Sequence, residues 1–204
     1  WNGYNYDTMA DDLKAVLDTL DLQDIVLTGF SMGGAIAIRY MARHKGSRIA
    51  KLVLLGAAAP CFTKREDYPF GIDSSAVDDL IRQTYTDRPS MLKNFTEIFF
   101  ANPNKLSSEF KIWNLSLGLA ASAHATIQCA IELRNADLRR DLTTIDVPTL
   151  ILHGLDDHVC LFDLAKSMHD GIKGSRLVSI EKAGHGFYYE ERDKLNSELV
   201  KFID

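Results

Sequence analysis

A serine hydroxyl attacks a carbonyl at neutral pH only when a base takes its proton and an acid orients that base. Three separated places in the chain offer this set. Gly29-Phe30-Ser31-Met32-Gly33 is a G-x-S-x-G pentapeptide, placed where a strand-like run gives way to a helix-like one. A serine on that tight turn sits at the carboxyl edge of a sheet with its hydroxyl exposed. The neighbouring glycines are expected because side chains there would collide with the turned backbone. The helix that follows brings backbone N–H groups and its positive dipole end toward any oxyanion that forms. A glycine-rich connection that only packs closely would carry the same letters.

The later segments supply the partners. Ile151-Leu152-His153-Gly154-Leu155-Asp156-Asp157 carries two carboxylates just past a strand, and Ala183-Gly184-His185-Gly186-Phe187 carries a histidine just past the next. Asp157 is favoured as the acid, because the third residue after Gly154 is where the turn points back toward the site. Asp156 is the runner-up, with solvation or a helix cap as its other role. Of the 6 histidines, His185 alone combines flanking glycines, a loop position and the expected order. His44 reads as a helix C-terminal partner, His169 as a residue of a surface-type helix, and His124 as part of an inserted segment. His153 reads as a buried structural histidine at a strand end, and His158 as a loop residue facing solvent.

The elements that must position these residues alternate. Asp7 is the expected N-cap of a helix whose apolar stripe runs through Ala10, Leu13, Val16, Leu17 and Leu20. Ile25 to Phe30 and Leu52 to Leu55 read as strands covered on both faces, with a helix to about His44 between them. That is a βαβ crossover, so the two should be parallel. Helical spacing dominates the next stretch, at Val77, Leu80, Ile81 and Tyr85, then Leu92, Phe95 and Phe99, then Ile127, Ile131 and Arg134. Strands return at Thr149 to His153 and Arg176 to Ile180, with helices near Leu161 to Asp170 and Asp193 to Ile203. The expected class is α/β, with a core from residues 1–60 and 144–204 and a helical insertion at 61–143.

The chain has 204 residues, 46% of them hydrophobic and 25% charged, which is the composition of a globular domain. A net charge of −5 with no basic block argues against nucleic acid as a partner. The longest apolar stretch, Leu52 to Phe62, is broken by Gly56 and Pro60 and is too short to span a membrane. Cys61, Cys129 and Cys160 have the spacing of neither a disulfide framework nor a zinc site, so a reducing, cytoplasmic setting without metal is expected. The first residue is Trp1 with no leader pattern after it, which reads as a removed segment or a fragment.

These residues resemble the α/β-hydrolase fold, in which the order Ser, Asp, His recurs. More narrowly they resemble the bacterial cofactor-free, non-haem haloperoxidases or perhydrolases, which are serine esterases by mechanism. The matching stretches are Gly29 to Gly34, the helix Ile38 to His44, Leu52 to Pro60, Ala136 to Leu142, the loop from His153 to Cys160, and Gly184-His185-Gly186. The likeness runs across most of the chain and is looser in the insertion. It implies Ser31 as nucleophile, His185 as base, Asp157 as orienting acid and the Met32 backbone N–H as an oxyanion donor. It also implies that the insertion is a lid over an apolar acyl pocket, and that no cofactor or metal takes part. Water or hydrogen peroxide would then take the acyl group, the latter giving a peracid that oxidises halide in solution.

Family members carry about four more strands before this point, including a loop that supplies the second oxyanion N–H. The chain therefore resembles the family without its N-terminal part, and low esterase activity is expected, since one lost donor typically costs ~10²–10³ in turnover. The Ile25 to Phe30 strand would then be an apolar sheet edge and a site of self-association. A C–C hydrolase, a lactonase or an iminopeptidase would use the same triad, whereas a dehalogenase would need a carboxylate in place of Ser31. A non-catalytic small-molecule-binding protein, or an inactive fragment, is the alternative from another class.

Overall fold

The computed structural model describes residues 3–204. Trp1, the residue that marked the start of the sequence as unusual, lies outside them. Four strands, β1 (Ile25–Phe30), β2 (Ile49–Leu55), β3 (Thr149–Gly154) and β4 (Arg176–Ile180), form one sheet in the order β1-β2-β3-β4. All neighbours are parallel, with Gly29 opposite Leu54, Leu54 opposite Ile151, and Leu152 opposite Val178. Every strand therefore ends on the same edge, and the loops after Phe30, Gly154 and Ile180 leave from it. That edge is where a parallel sheet gathers its chemistry.

Alternation along β2 sends its side chains to two cores. Leu52 and Leu54 pack with α1 (Tyr6–Thr19), α2 (Met32–Arg43) and α8 (Phe162–Gly171) through Tyr6, Ile38, Tyr40 and Met168. Val53 and Leu55 face the other way, onto Phe187 of the short α9 (Phe187–Glu190) and Leu195 of α10 (Arg192–Ile203). Burial on both faces is what makes β3 and Leu52 to Leu55 of β2 read as continuous apolar runs, whereas β1, expected to be covered on both faces, is an edge strand that leaves Thr28 exposed.

Between β2 and β3 lie α3 (Ser74–Thr86), α4 (Arg88–Phe99), a 3₁₀ turn at Pro103–Lys105, α5 (Ser108–Ala120), α6 (Ala123–Asn135) and α7 (Arg139–Leu142). A third core joins Phe62, Tyr68, Val77 and Ala130 to Cys160 and Leu164, so α3 and α6 are seated on the loop after β3. Leu138 and Leu142, flanking and within α7, belong instead to the core of α1 and α2.

Two local expectations are corrected. Asn5, not Asp7, caps α1, its side chain accepting from the Thr8 N–H at 2.8 Å. Asn5 has the extended backbone that a cap needs, whereas Asp7 lies inside the first turn, where its carboxylate is within 3.4 Å of Arg39 and Arg43. The buried stripe of α1 is Tyr6, Ala10 and Leu17, and Val16 and Leu20 are 52% and 61% exposed. Helix α5 carried no periodic signal in the sequence because its half-buried face, Phe110, Lys111, Asn114, Leu115 and Gly118, includes polar residues while Ile112, Trp113, Leu117 and Leu119 are exposed.

Candidate active site

Ser31 stands between β1 and α2 with φ 52° and ψ −122°, a conformation that costs a non-glycine residue roughly 1–3 kcal/mol. The turn is tied at both ends. The Ser31 N–H donates to the Leu55 carbonyl at 2.9 Å, and the Ser31 carbonyl accepts from the Gly34 and Ala58 N–H groups at 3.0 Å. A Cβ on Gly29 would lie 2.4 Å from the Gly33 carbonyl oxygen, so glycine is required there. At Gly33 a Cβ would meet open space, contrary to the expectation of collision. The crowded position is Gly34, whose added Cβ would sit 2.4 Å from the Ala57 Cβ, because it is Gly34 that presses α2 onto the chain leaving β2. Met32 is the first residue of α2, so its N–H belongs to the first-turn donors that have no acceptor within the helix.

Asp157, three residues beyond β3, is 3% exposed, and its carboxylate is fully partnered. Oδ1 accepts from the Val159 and Cys160 N–H groups at 2.8 and 2.7 Å. Oδ2 accepts from His185 Nδ1 at 2.7 Å and lies 3.3 Å from His153 Nε2. Asp156 is exposed, and its backbone N–H donates to the Ala183 carbonyl. His153 is fully buried, and its Nε2 is 2.6 Å from the Cys160 carbonyl oxygen. Since a carbonyl only accepts, that nitrogen must carry the proton.

Burial alone would raise the Asp157 carboxyl, but the hydrogen bonds and charge of His153 and His185 outweigh it and hold it at about 2, below its ordinary 3.8. The carboxylate is favoured in the folded state, so its contribution is complete above about pH 4 and disappears as the pH falls toward 2. At 1.36 kcal/mol per unit this is about 2 kcal/mol. Urea midpoints measured from pH 6 to pH 2 should fall more steeply for the wild type than for Asp157→Asn, and parallel curves would contradict the assignment.

His185 is 1% exposed, and its ring is held between two others. Phe30, the neighbour of Ser31, and Phe99 of α4 each lie with their ring centroids 4.8 Å from it. With Nδ1 committed to Asp157, Nε2 is the nitrogen left for proton transfer. Among the described residues no hydrogen bond joins Ser31 to His185. The Ser31 hydroxyl instead lies beside the Cys160 thiol, which burial and the Asp157 charge push well up and hydrogen bonding from Ser31 only partly offsets. Cys160 thus stays a neutral thiol, touching the serine with its side chain and the acid with its N–H. His44, His169 and His124 stand apart, His44 lying 2.9 Å from Asp11, His169 bonding Ser175 and His124 meeting the Tyr4 ring, whereas the exposed His158 follows Asp157 and lines the same cavity as Ser31.

The loop that carries His185 is fastened by a residue with no sequence signal. Glu190 accepts from the Gly184 N–H at 2.7 Å and the Asn102 N–H at 3.1 Å, and the Gly186 N–H donates to the Phe99 carbonyl at 2.8 Å. The His185 loop is therefore clamped to the end of α4. Glu190→Ala strands two backbone donors and is expected to destabilise the protein by about 1–3 kcal/mol. Calorimetry should register a fall of roughly 2–4 °C per kcal/mol. An unchanged midpoint would show that the clamp carries no weight.

A group of three or more His, Cys, Asp or Glu able to hold a metal is absent among the described residues, as is a helix long and apolar enough to cross a membrane. A protein of Bacillus subtilis, the AB hydrolase superfamily protein YisY, is 52% identical over 99% of this chain and 75% of its own length. An esterase from Exiguobacterium antarcticum superposes with a TM-score of 0.95 at 49% identity, over 98% of this chain and 74% of that one. A bromoperoxidase from Bacillus anthracis does so with a TM-score of 0.96 at 34% identity, over 100% of this chain and 75% of that one. The family described as the alpha/beta hydrolase fold matches residues 1–192. A parallel sheet with a strained serine, a buried carboxylate and a histidine on its carboxyl edge, matched along nearly its whole length, thus makes this chain a member of the α/β-hydrolase family.

Proposed function

We propose that the protein is a serine hydrolase of small esters, with Ser31 as nucleophile, His185 as base, Asp157 as its orienting acid and the Met32 N–H as an oxyanion donor. Ser31 Oγ bonds to the ester carbonyl carbon while His185 Nε2 takes the hydroxyl proton. The carbon–alkoxide bond then breaks, and His185 returns that proton to the departing alcohol. Water, activated by the same imidazole, releases the acid and frees Ser31. Hydrogen peroxide in place of water would release a peracid, a side reaction that the likeness to a bromoperoxidase supports. Helices α3 to α6 serve as a lid over the serine.

The observation that carries this reading is the His185 to Asp157 hydrogen bond of 2.7 Å, buried at the same sheet edge as the strained Ser31 turn. The three thiols are unpaired, the state that a reducing, cytoplasmic setting maintains. A fluorophosphonate probe should label Ser31 by forming an Oγ–P bond and expelling fluoride. Labelling should vanish in Ser31→Ala and fall in His185→Ala, and folded wild-type protein that stays unlabelled would refute the reading.

A further inference from the structure

Ser31 opens into a cavity of about 310 Å³. Its walls come from the helices inserted between β2 and β3, through residues such as Leu80 of α3, Phe95 of α4, and Ala130 and Leu133 of α6. Among the described residues Ser31 and His158 are its only polar lining. An apolar cavity of about 150 Å³ holds a benzene ring, so this one has room for roughly twice that many carbons, less the space that a mobile chain leaves unfilled. Apart from the exposed His158, an ionised group in it would find no partner, and an unpaired charge there carries a cost that no apolar contact offsets.

We infer that this cavity receives an uncharged, aliphatic acyl chain of about six to eight carbons, so that the ester substrates are medium-chain rather than acetyl. The inference rests on Ser31 being the nucleophile, since only then does the acyl half of the ester lie on the cavity side. Aliphatic contacts from α3 and α6 predominate over rings, and such walls adapt to a chain. Each methylene added up to that length transfers a CH₂ from water to the wall, which raises kcat/KM on the order of fourfold per carbon. Beyond it the chain must return to water or push α3 and α6 apart, and the gain ends. A carboxylate at the far end of the chain reverses the gain.

The test is a series of p-nitrophenyl esters from acetate to dodecanoate with the full chain, run beside fluorophosphonate labelling of Ser31. The expected result is a maximum in kcat/KM at hexanoate or octanoate, with the half-ester of adipic acid at least about 10²-fold poorer than hexanoate. In Ala130→Phe the ratio of octanoate to acetate should fall by about 10²-fold, as the ring fills the cavity. In Leu80→Ala, which enlarges the cavity and does not depend on seating a new ring, the ratio of dodecanoate to octanoate should rise. A maximum at acetate in protein whose Ser31 is labelled would overturn the inference alone. Ratios that do not respond to Leu80→Ala would also overturn it, and absence of labelling would overturn the hydrolase reading with it.

Discussion

Asp157→Asn should lower kcat by about 10⁴ while leaving the protein folded. The loss depends on which way the new amide faces. Val159 and Cys160 both present N–H groups to Oδ1, so the asparagine oxygen is held there and its NH₂ takes the place of Oδ2. That NH₂ then donates to His185 Nδ1, which reverses the tautomer and puts the proton on Nε2, the nitrogen required to accept one from Ser31. It also confronts His153 Nε2, whose proton is fixed by the Cys160 carbonyl at 2.6 Å. Two donors facing each other cost stability as well as rate. Steady-state hydrolysis of p-nitrophenyl hexanoate with far-UV dichroism as the folding control measures both. A fall of less than tenfold would show that Asp157 is not the acid.

How far this site could be read from residues alone differs by element, for physical reasons. Strand β4 was legible to the residue, Arg176 to Ile180, and so was the parallel βαβ pairing of β1 and β2, although β4 buries only Ile180 fully and β1, at the other sheet edge, leaves Thr28 exposed. Helix α5 was not legible, since its half-buried face mixes Lys111 and Asn114 with Phe110 and Leu115 while its other apolar residues, among them Ile112 and Trp113, face solvent. The preference for Asp157 over Asp156 rested on the turn after β3 alone, and in the structure it is Asp157 that shares a buried hydrogen bond with His185. What could not be read were contacts made when separate loops fold onto each other. His153 reads as structural from its strand position, but its approach to Asp157 Oδ2 exists only because the loop returns and brings Cys160 over it. Glu190 lies in a polar stretch with nothing to distinguish it, yet it joins the His185 loop to the end of α4. Likewise Gly33 and Gly34 are equivalent as letters, and only the approach of Ala57 separates them.

The same approach of loops makes Gly154→Ala a test of how finely the base is placed. Gly154 ends β3, and a Cβ there would lie 2.3 Å from the Ala183 carbonyl oxygen and 2.4 Å from that of Gly184. Both atoms are backbone, so no side chain can swing aside to relieve the contact. The segment cannot simply lift, because the Leu155 N–H is bonded to the Ile180 carbonyl at 2.9 Å, the Asp156 N–H to that of Ala183 at 3.1 Å, and the Gly184 N–H to Glu190 at 2.7 Å. Ordinary contact needs about another 1 Å, and the loop that must supply it carries His185. Overpacking of this kind costs about 1–3 kcal/mol of stability. A base displaced by about 1 Å costs about 10²-fold in rate. The expected result is therefore a variant that still folds, with kcat down by about 10²-fold and KM for a medium-chain ester little changed, because the cavity beside Ser31 is lined mostly by α3, α4 and α6, with only His158 and Val159 coming from the segment after Gly154. If kcat stays within threefold of wild type, the sheet edge absorbs the methyl without moving His185. The tight packing at Gly154 would then serve the fold and not the chemistry.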